Sequence, residues 1–370
     1  MLSERVQRID ASGIRRVFDL AATMRAPIDF SIGQPDFDVP EPVKEAAVAA
    51  IRGGRNRYTV TQGIPELHQA IRAMLREKKG FTPEATLITS AVSGGLTLAF
   101  LATLNPGDEV VVPDPYFVIY KHLATLCGAR AVFADTYPDF RLRREALEAA
   151  LSPRTKMLVV NSPCNPTGAV YTPEELRMAA QLAHERGIVV LSDETYEAYA
   201  YDGPYASMAS AYPQTLLLSG FSKTHAMTGW RLGYAAGPEK LIAAMTKLQQ
   251  YTFVCAPSIA QAAGVKALAV DTSAQIAAYV RKRDALYEGL REAGYDVQRP
   301  GGAFYIFPRV PWGTDLEFVE QAIRNNLLII PGSVFSERAT HFRIAYPVAD
   351  STIERGLEVL RRLATRPPSA

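Results

Sequence analysis

Along the middle of the chain, short unbroken apolar runs are separated by longer stretches of mixed polarity. Five runs stand out: Leu87-Ile88-Thr89, Val110-Val111-Val112, Met157-Leu158-Val159-Val160, Ile188-Val189-Val190-Leu191 and Leu216-Leu217-Leu218. Their residues do not alternate with polar ones, so each predicts a strand buried on both faces, as in a parallel or mixed α/β sheet. Helix-like stretches separate several of them. Leu176, Ala179, Ala180 and Ala183 recur at helical spacing and predict a helix over 173–186.

Each run gives way at once to small, polar or proline residues. The exits are Ser90-Ala91-Val92-Ser93-Gly94-Gly95, Pro113-Asp114-Pro115-Tyr116-Phe117, Asn161-Ser162-Pro163-Cys164-Asn165-Pro166-Thr167-Gly168, Ser192-Asp193-Glu194-Thr195-Tyr196 and Ser219-Gly220-Phe221-Ser222-Lys223. In open α/β sheets, ligands bind beyond the carboxyl ends of the strands, so the five exits are expected to meet at one site. Prolines and glycines near Gly33-Gln34-Pro35 and near Asp271 mark domain boundaries. There is no internal repeat, and the tail Pro367-Pro368-Ser369-Ala370 reads as disordered.

Composition narrows the class. With 370 residues, 48% of them apolar, the chain can bury one large core and a smaller second one, and two domains are expected. Forty basic against 38 acidic residues leave a formal charge of +2, with no Lys/Arg cluster to follow a nucleic-acid backbone. Cys127, Cys164 and Cys255 are odd in number and widely spaced, which fits neither a disulfide framework nor a zinc site and suggests a reducing cytoplasm. The opening Met1-Leu2-Ser3-Glu4-Arg5 is charged where a signal peptide turns apolar, and no run approaches the roughly 18 apolar residues that span a bilayer. Neither nucleic acid nor membrane is expected as a partner.

The last exit carries the most informative chemistry. It continues as Ser222-Lys223-Thr224-His225-Ala226-Met227-Thr228-Gly229-Trp230-Arg231-Leu232-Gly233, presenting one amine and, eight residues on, a second cation. A lysine amine is nucleophilic only when neutral, so a Schiff-base lysine needs partial burial or a neighbouring cation to lower its pKa. The uncharged segment after Lys223 offers the first and Arg231 the second. Taken alone, Ser-Lys-Thr is a weak signal, and most lysines are solvated.

The whole run closely resembles the lysine segment of the class I/II aminotransferases, which carry pyridoxal 5′-phosphate on the fold-type I scaffold, and the resemblance extends over almost the full chain. It implies an α/β fold with a mostly parallel central sheet flanked by helices. A smaller α/β domain would be built from both chain ends: residues 1–40 join 271–370, and 41–270 form the large cofactor-binding domain. The implied reaction moves an amino group from an L-amino acid to a 2-oxo acid, with glutamate and 2-oxoglutarate as one pair. It would run by ping-pong kinetics through a Lys223 aldimine, in a homodimer with shared active sites.

The resemblance also assigns roles residue by residue. Asp193, of Asp193-Glu194-Thr195-Tyr196, would hold the pyridinium nitrogen protonated; from the residue pattern alone it would serve as a helix N-cap. Tyr196 and Asn165 would bond the cofactor's phenolic oxygen, and Phe117 would stack on its ring. Val92, Ser93 and Ser222 would surround the phosphate with Arg231, whose fork matches phosphate oxygens. The helix N-terminus near Ala91 is an anion site in its own right. Tyr58 would reach the phosphate across the subunit interface. Arg343, in His341-Phe342-Arg343-Ile344-Ala345, would bind the substrate α-carboxylate with Gly33 and Asn165; a strand arginine of this kind could equally face water. Gly302-Ala303-Phe304-Tyr305-Ile306-Phe307 matches a small-domain strand near the substrate and could equally be core.

Two positions depart from the family pattern. Ser93 stands where several aspartate-using relatives carry a lysine for the second carboxylate, and Gly220 where others carry a phosphate-binding serine. A β-elimination lyase on the same scaffold uses the same cofactor residues, so the motifs do not separate it from a transaminase. A ligand-binding regulator of this fold would append a DNA-binding domain for which no residues are spare.

Overall fold

A computed structural model describes residues 2–9, 13 and 24–365. The tail at 367–370 and most of the segment before residue 24 lie outside the described residues.

The five apolar runs become five strands of one sheet: β2 (Ala85–Ser90), β3 (Glu109–Asp114), β5 (Thr155–Asn161), β6 (Val189–Asp193) and β7 (Thr215–Gly220). Burial on both faces is visible residue by residue. In β7, Leu216 and Leu218 pack into one apolar cluster and Leu217 into another on the opposite face. Met157 and Val159 of β5 likewise point away from Leu158 and Val160. Two strands escaped the apolar-run reading, β4 (Arg130–Asp135) and β8 (Leu232–Gly237). The first is a partly exposed edge strand with a charge at each end, and the second is built largely from glycine and alanine.

The seven strands are ordered β2-β8-β7-β6-β5-β3-β4. All pair in parallel except β8, which runs antiparallel to both its neighbours. Because β2 and β7 both oppose β8, they point the same way as the rest, and the five exits share one edge of the sheet. At Gly233 of β8, a Cβ would sit 2.6 Å from the backbone carbon of Ala91. Glycine thus lets the turn after β2 lie against β8 backbone.

Helices cover both faces. The one predicted from periodicity forms at Pro173–Arg186, with a capping box in which the Thr172 hydroxyl accepts from Glu175 N–H and the Glu175 carboxylate accepts from Thr172 N–H. Its buried side is Leu176, Ala179, Ala180, Leu182 and Ala183.

A second core lies under a smaller antiparallel sheet, ordered β11 (Ile330–Pro331), β12 (Phe342–Ala345), β9 (Tyr305–Ile306). Beside it, β1 (Ile28–Asp29) pairs in parallel with β10 (Leu327–Leu328), and Ala345 N–H donates to Phe30 carbonyl at 2.8 Å. Ile28 and Phe30 share one apolar cluster with residues from 279 to 363. The early chain is thereby fastened to late strands, which brings Gly33 to the edge where β2 to β7 end.

A buried ionic cluster ties helix Pro65–Lys79 to the β6 exit. The Lys79 ammonium, 5% exposed, donates to the fully buried Glu194 carboxylate at 2.6 Å and also to Glu197. Ser192 and Ser207 hydroxyls donate to the other Glu194 oxygen at 3.0 and 2.7 Å. Removing one partner of such a pair leaves an uncompensated charge in the interior. Lys79→Met is therefore expected to destabilise the protein by about 3–5 kcal/mol in urea denaturation. Adding Glu194→Gln to it should recover part of that loss.

Candidate active site

A cavity of about 320 Å³ opens where the five exits meet. Ala91, Val92 and Ser93 reach it from β2, Phe117 from β3, Asn165 from β5, Asp193 and Tyr196 from β6, and Ser222 and Lys223 from β7. Gly33 enters from the segment after β1, Arg231 from the start of β8, and Arg343 from β12. Every predicted site residue lines this space except Tyr58, whose side chain is 84% exposed away from it in the single chain.

Lys223 sits in a turn, not a helix. Its backbone is fixed by the Tyr199 hydroxyl, which donates to Lys223 carbonyl at 2.7 Å, and its Nζ donates to Gly33 carbonyl at 2.7 Å. A Cβ at Gly33 would collide with the Tyr305 hydroxyl, so the close backbone approach requires glycine. Burial, followed by the charges of Arg343 and then Arg231, lowers the Lys223 pKa to about 8. The neighbouring cation expected at Arg231 is present, but burial does most and Arg343 precedes it.

Asp193 ends β6 and does not cap a helix. One carboxylate oxygen accepts from Thr195 N–H at 3.1 Å and Thr195 hydroxyl at 2.5 Å, and the other accepts from Tyr120 hydroxyl at 2.7 Å. The carboxylate is buried and forms no ion pair among the described residues; burial raises its pKa against the pull of these bonds. A hydrogen-bonded carboxylate without a cation is a receptor for one. Beside it, the Tyr196 hydroxyl meets that of Tyr305 at 2.7 Å.

Arg343 is the opposite case. It is 1% exposed, inside β12, and has no carboxylate partner among the described residues. Its guanidinium donates to Asn165 Oδ1 at 3.1 Å and to Ser31 carbonyl at 2.8 Å, while Nε is buried with no partner. The rings of Tyr305 and Phe335 cover it at 4.6 and 4.5 Å. The water-facing alternative for this arginine is thus excluded, and the donors left over suit a carboxylate.

At the far end of the cavity, the Arg231 guanidinium donates to Ser93 Oγ at 2.8 Å. Ser93 lies in the first turn of helix Ala91–Thr103, whose N-cap Ser90 makes no side-chain cap bond. Free N–H groups, a hydroxyl and a guanidinium together form an anion site.

Three contributors were missed or misjudged in the sequence. Tyr120, which anchors Asp193, lies in helix Ile119–Leu126 beyond the exit of β3, although its spacing of three from Phe117 carries a helical signal. Tyr305 belongs to the motif that could be either a strand near the substrate or core, with no role of its own assigned, and it lines the cavity between Tyr196 and Arg343. Thr195 lies within its exit, but nothing in the sequence marks its two hydrogen bonds to Asp193.

The family model described as aminotransferase class I and II matches residues 25–360. The chain belongs to the class I/II aminotransferases. This aminotransferase is 37% identical to an aspartate/prephenate aminotransferase of Thermus thermophilus, over 99% of each chain. It is 36% identical to an aromatic-amino-acid aminotransferase of Thermococcus litoralis, over 98% of each. An aspartate aminotransferase from Thermus thermophilus solved with maleate superposes with a TM-score of 0.94 at 37% identity, covering 98% of this chain and 99% of that one.

The cofactor of this aminotransferase is pyridoxal phosphate. The residues present fit it: a buried amine for the aldehyde, an uncompensated carboxylate for the pyridinium and an anion site for the phosphate. Among the described residues, no helix is long and apolar enough to cross a membrane.

The lowered pKa of Lys223 has a measurable signature. Between about 8 and the ordinary 10.5, the unfolded lysine holds a proton that the native one has lost, so its contribution to stability rises with pH. Cofactor-free Lys223→Met should be more stable than cofactor-free wild type near pH 7. The gap should narrow by up to roughly 3 kcal/mol as pH rises through that window, as followed by urea titration at each pH.

Proposed function

We propose that Asp193 and Arg343 mark the two ends of one substrate–cofactor axis, with Lys223 between them. The observation that carries this reading is that two buried charges of opposite sign face one cavity and neither has a counter-ion among the described residues. Asp193 binds the pyridinium, supported by Tyr120 and Thr195. Arg231, Ser93, Ser222 and the Ala91–Val92 backbone bind the phosphate, Phe117 covers the ring, and Tyr196 and Asn165 bond its phenolic oxygen. Arg343 binds the substrate α-carboxylate, helped by Gly33 and Asn165.

Bound pyridoxal phosphate supplies an electron sink for the bond broken at Cα and carries the amino group between the half-reactions. The chain supplies the proton chemistry. With its pKa lowered to about 8, Lys223 Nζ is partly neutral around neutral pH and takes the proton from substrate Cα as a general base. Arg343, fixed in charge, holds the carboxylate through both half-reactions, which suits a ping-pong exchange between an amino acid and 2-oxoglutarate.

We further propose that the enzyme is a cytoplasmic homodimer with shared sites, its large domain spanning 41–270 and its small domain 271–370 with 1–40. Three unpaired cysteines suit a reducing compartment. Ile51, Tyr58, Val60 and Tyr251 are apolar side chains left exposed in the single chain, between 48% and 85%. The segments of Tyr58, Val60 and Tyr251 are joined by the Gln249 amide, which donates to Thr61 carbonyl at 2.7 Å, and Ile51 is tied in by the Asn56 amide, which donates to its carbonyl at 3.1 Å. Such a patch suits a subunit interface, and Tyr58 would cross it.

Lys223→Ala should lower turnover of amino donor with 2-oxoglutarate by at least about 10³-fold, followed by 2-oxo acid formation across a donor panel. Near wild-type turnover, or pyruvate and ammonia released without dependence on an oxo-acid acceptor, would refute the assignment. In light scattering, Tyr251→Glu is expected to shift wild-type dimers toward monomers.

A further inference from the structure

Two aromatic rings lie against the Arg343 guanidinium, and one of them is held from elsewhere. Tyr305 belongs to the neighbouring strand β9, but Phe335 sits in a short segment that follows the turn Gly332–Val334 after β11, outside any strand. That segment is instead fastened across to the β3 exit. Tyr116 N–H donates to Phe335 carbonyl at 2.8 Å. Two residues on, the Glu337 carboxylate accepts from the Tyr116 hydroxyl at 2.7 Å and from Lys121 Nζ at 2.7 Å. Glu337 N–H donates to Asp114 Oδ2 at 3.3 Å, and Tyr137 hydroxyl to Ser336 Oγ at 2.9 Å. Phe335 itself is fully buried.

The same exit also builds the cofactor end. Phe117 walls the cavity and Tyr120 donates to Asp193. Between Asp114 and Lys121, one stretch of chain thus grips Asp193 at one end of the site and, through Glu337, the ring that faces Arg343 at the other.

We propose that Glu337 is a positioning residue: its bond to Tyr116 clasps the segment carrying Phe335 and so orients Arg343 toward the substrate carboxylate. The inference rests on Arg343 being the carboxylate-binding residue. Glu337 does not line the cavity and acts through Phe335. A bond to a carboxylate is about twice as strong as a neutral one, and a misplaced binding group weakens ground state and transition state alike, which appears in KM and not in kcat.

The holoenzyme carrying Glu337→Ala should show KM raised about five- to ten-fold for both amino donor and oxo acid, with kcat within about two-fold of wild type. The Kd of maleate or 3-phenylpropanoate, whichever binds wild type more tightly, should rise in parallel, since neither can react. Glu337→Gln keeps an acceptor for the Tyr116 hydroxyl and should restore KM to within about two-fold of wild type. Phe335→Leu removes the ring directly and should reproduce the KM and Kd increases, which keeps the question answerable should Glu337→Ala fail to fold. Arg343→Lys is measured alongside: an unchanged KM there overturns the role of Arg343 itself. If Arg343→Lys raises KM while either Glu337→Ala or Phe335→Leu leaves KM and Kd at wild-type values, Arg343 keeps its role and the clasp is refuted.

Discussion

Two interior charges that do not neutralise each other govern this molecule. Asp193 and Arg343 are both withdrawn from water, at a cost that ordinarily demands a counter-ion. The protein meets part of that cost with neutral partners: a tyrosine and a threonine for the carboxylate, an asparagine and a backbone carbonyl for the guanidinium. None of these can cancel a full charge. The remainder persists as an attraction for small molecules that bring their own pyridinium and carboxylate, so binding and folding draw on the same electrostatic deficit.

Holding such charges in place requires supports from distant parts of the chain. The partners of Arg343 come from residues near 31, 165, 305 and 335, and those of Asp193 from 120 and 195. This explains why the early chain is sewn into the late sheets through β1 and Phe30. Without that stitching, Gly33 and Ser31 would have no fixed relation to Lys223 or Arg343. Lys79, Glu194 and Glu197 do comparable work behind β6, where a paired buried cluster stiffens the residues flanking Asp193.

How much of this was legible follows from which physical signals survive in one dimension. Continuous apolar runs announce strands with two buried faces, and five of seven were read so. β4 and β8 were not, since an edge strand is half exposed and a strand of glycine and alanine carries almost no hydrophobic signal. Strand exits were legible because small, polar and proline residues close an apolar run as a turn, and in an open α/β sheet those turns meet beyond the strand ends. Tyr120 and Tyr305 were harder: one lies in the helix after its exit, and the other's chemistry depends on which face of β9 meets the cavity. The order of influences on Lys223 also could not be read, because Arg343 is distant in sequence and near only in the fold. Tyr58 is the converse, a site residue by resemblance that lies exposed and away from the cavity in the single chain.

The reversal of β8 has a topological consequence. In a sheet of uniform direction, the chain leaving β7 would have to cross to the opposite edge before starting its next strand, and whatever preceded that strand would lie far from the cavity. Because β8 descends where β7 ascends, the intervening loop begins and ends at the same edge. Lys223 and Arg231 are therefore the two posts of a single arch whose feet are bolted together by the Gly220 to Gly233 pairing. The pairing thus sets where the backbone of the arch begins and ends, while the Lys223 amine and the Arg231 guanidinium are placed by their own bonds to Gly33 carbonyl and Ser93 Oγ.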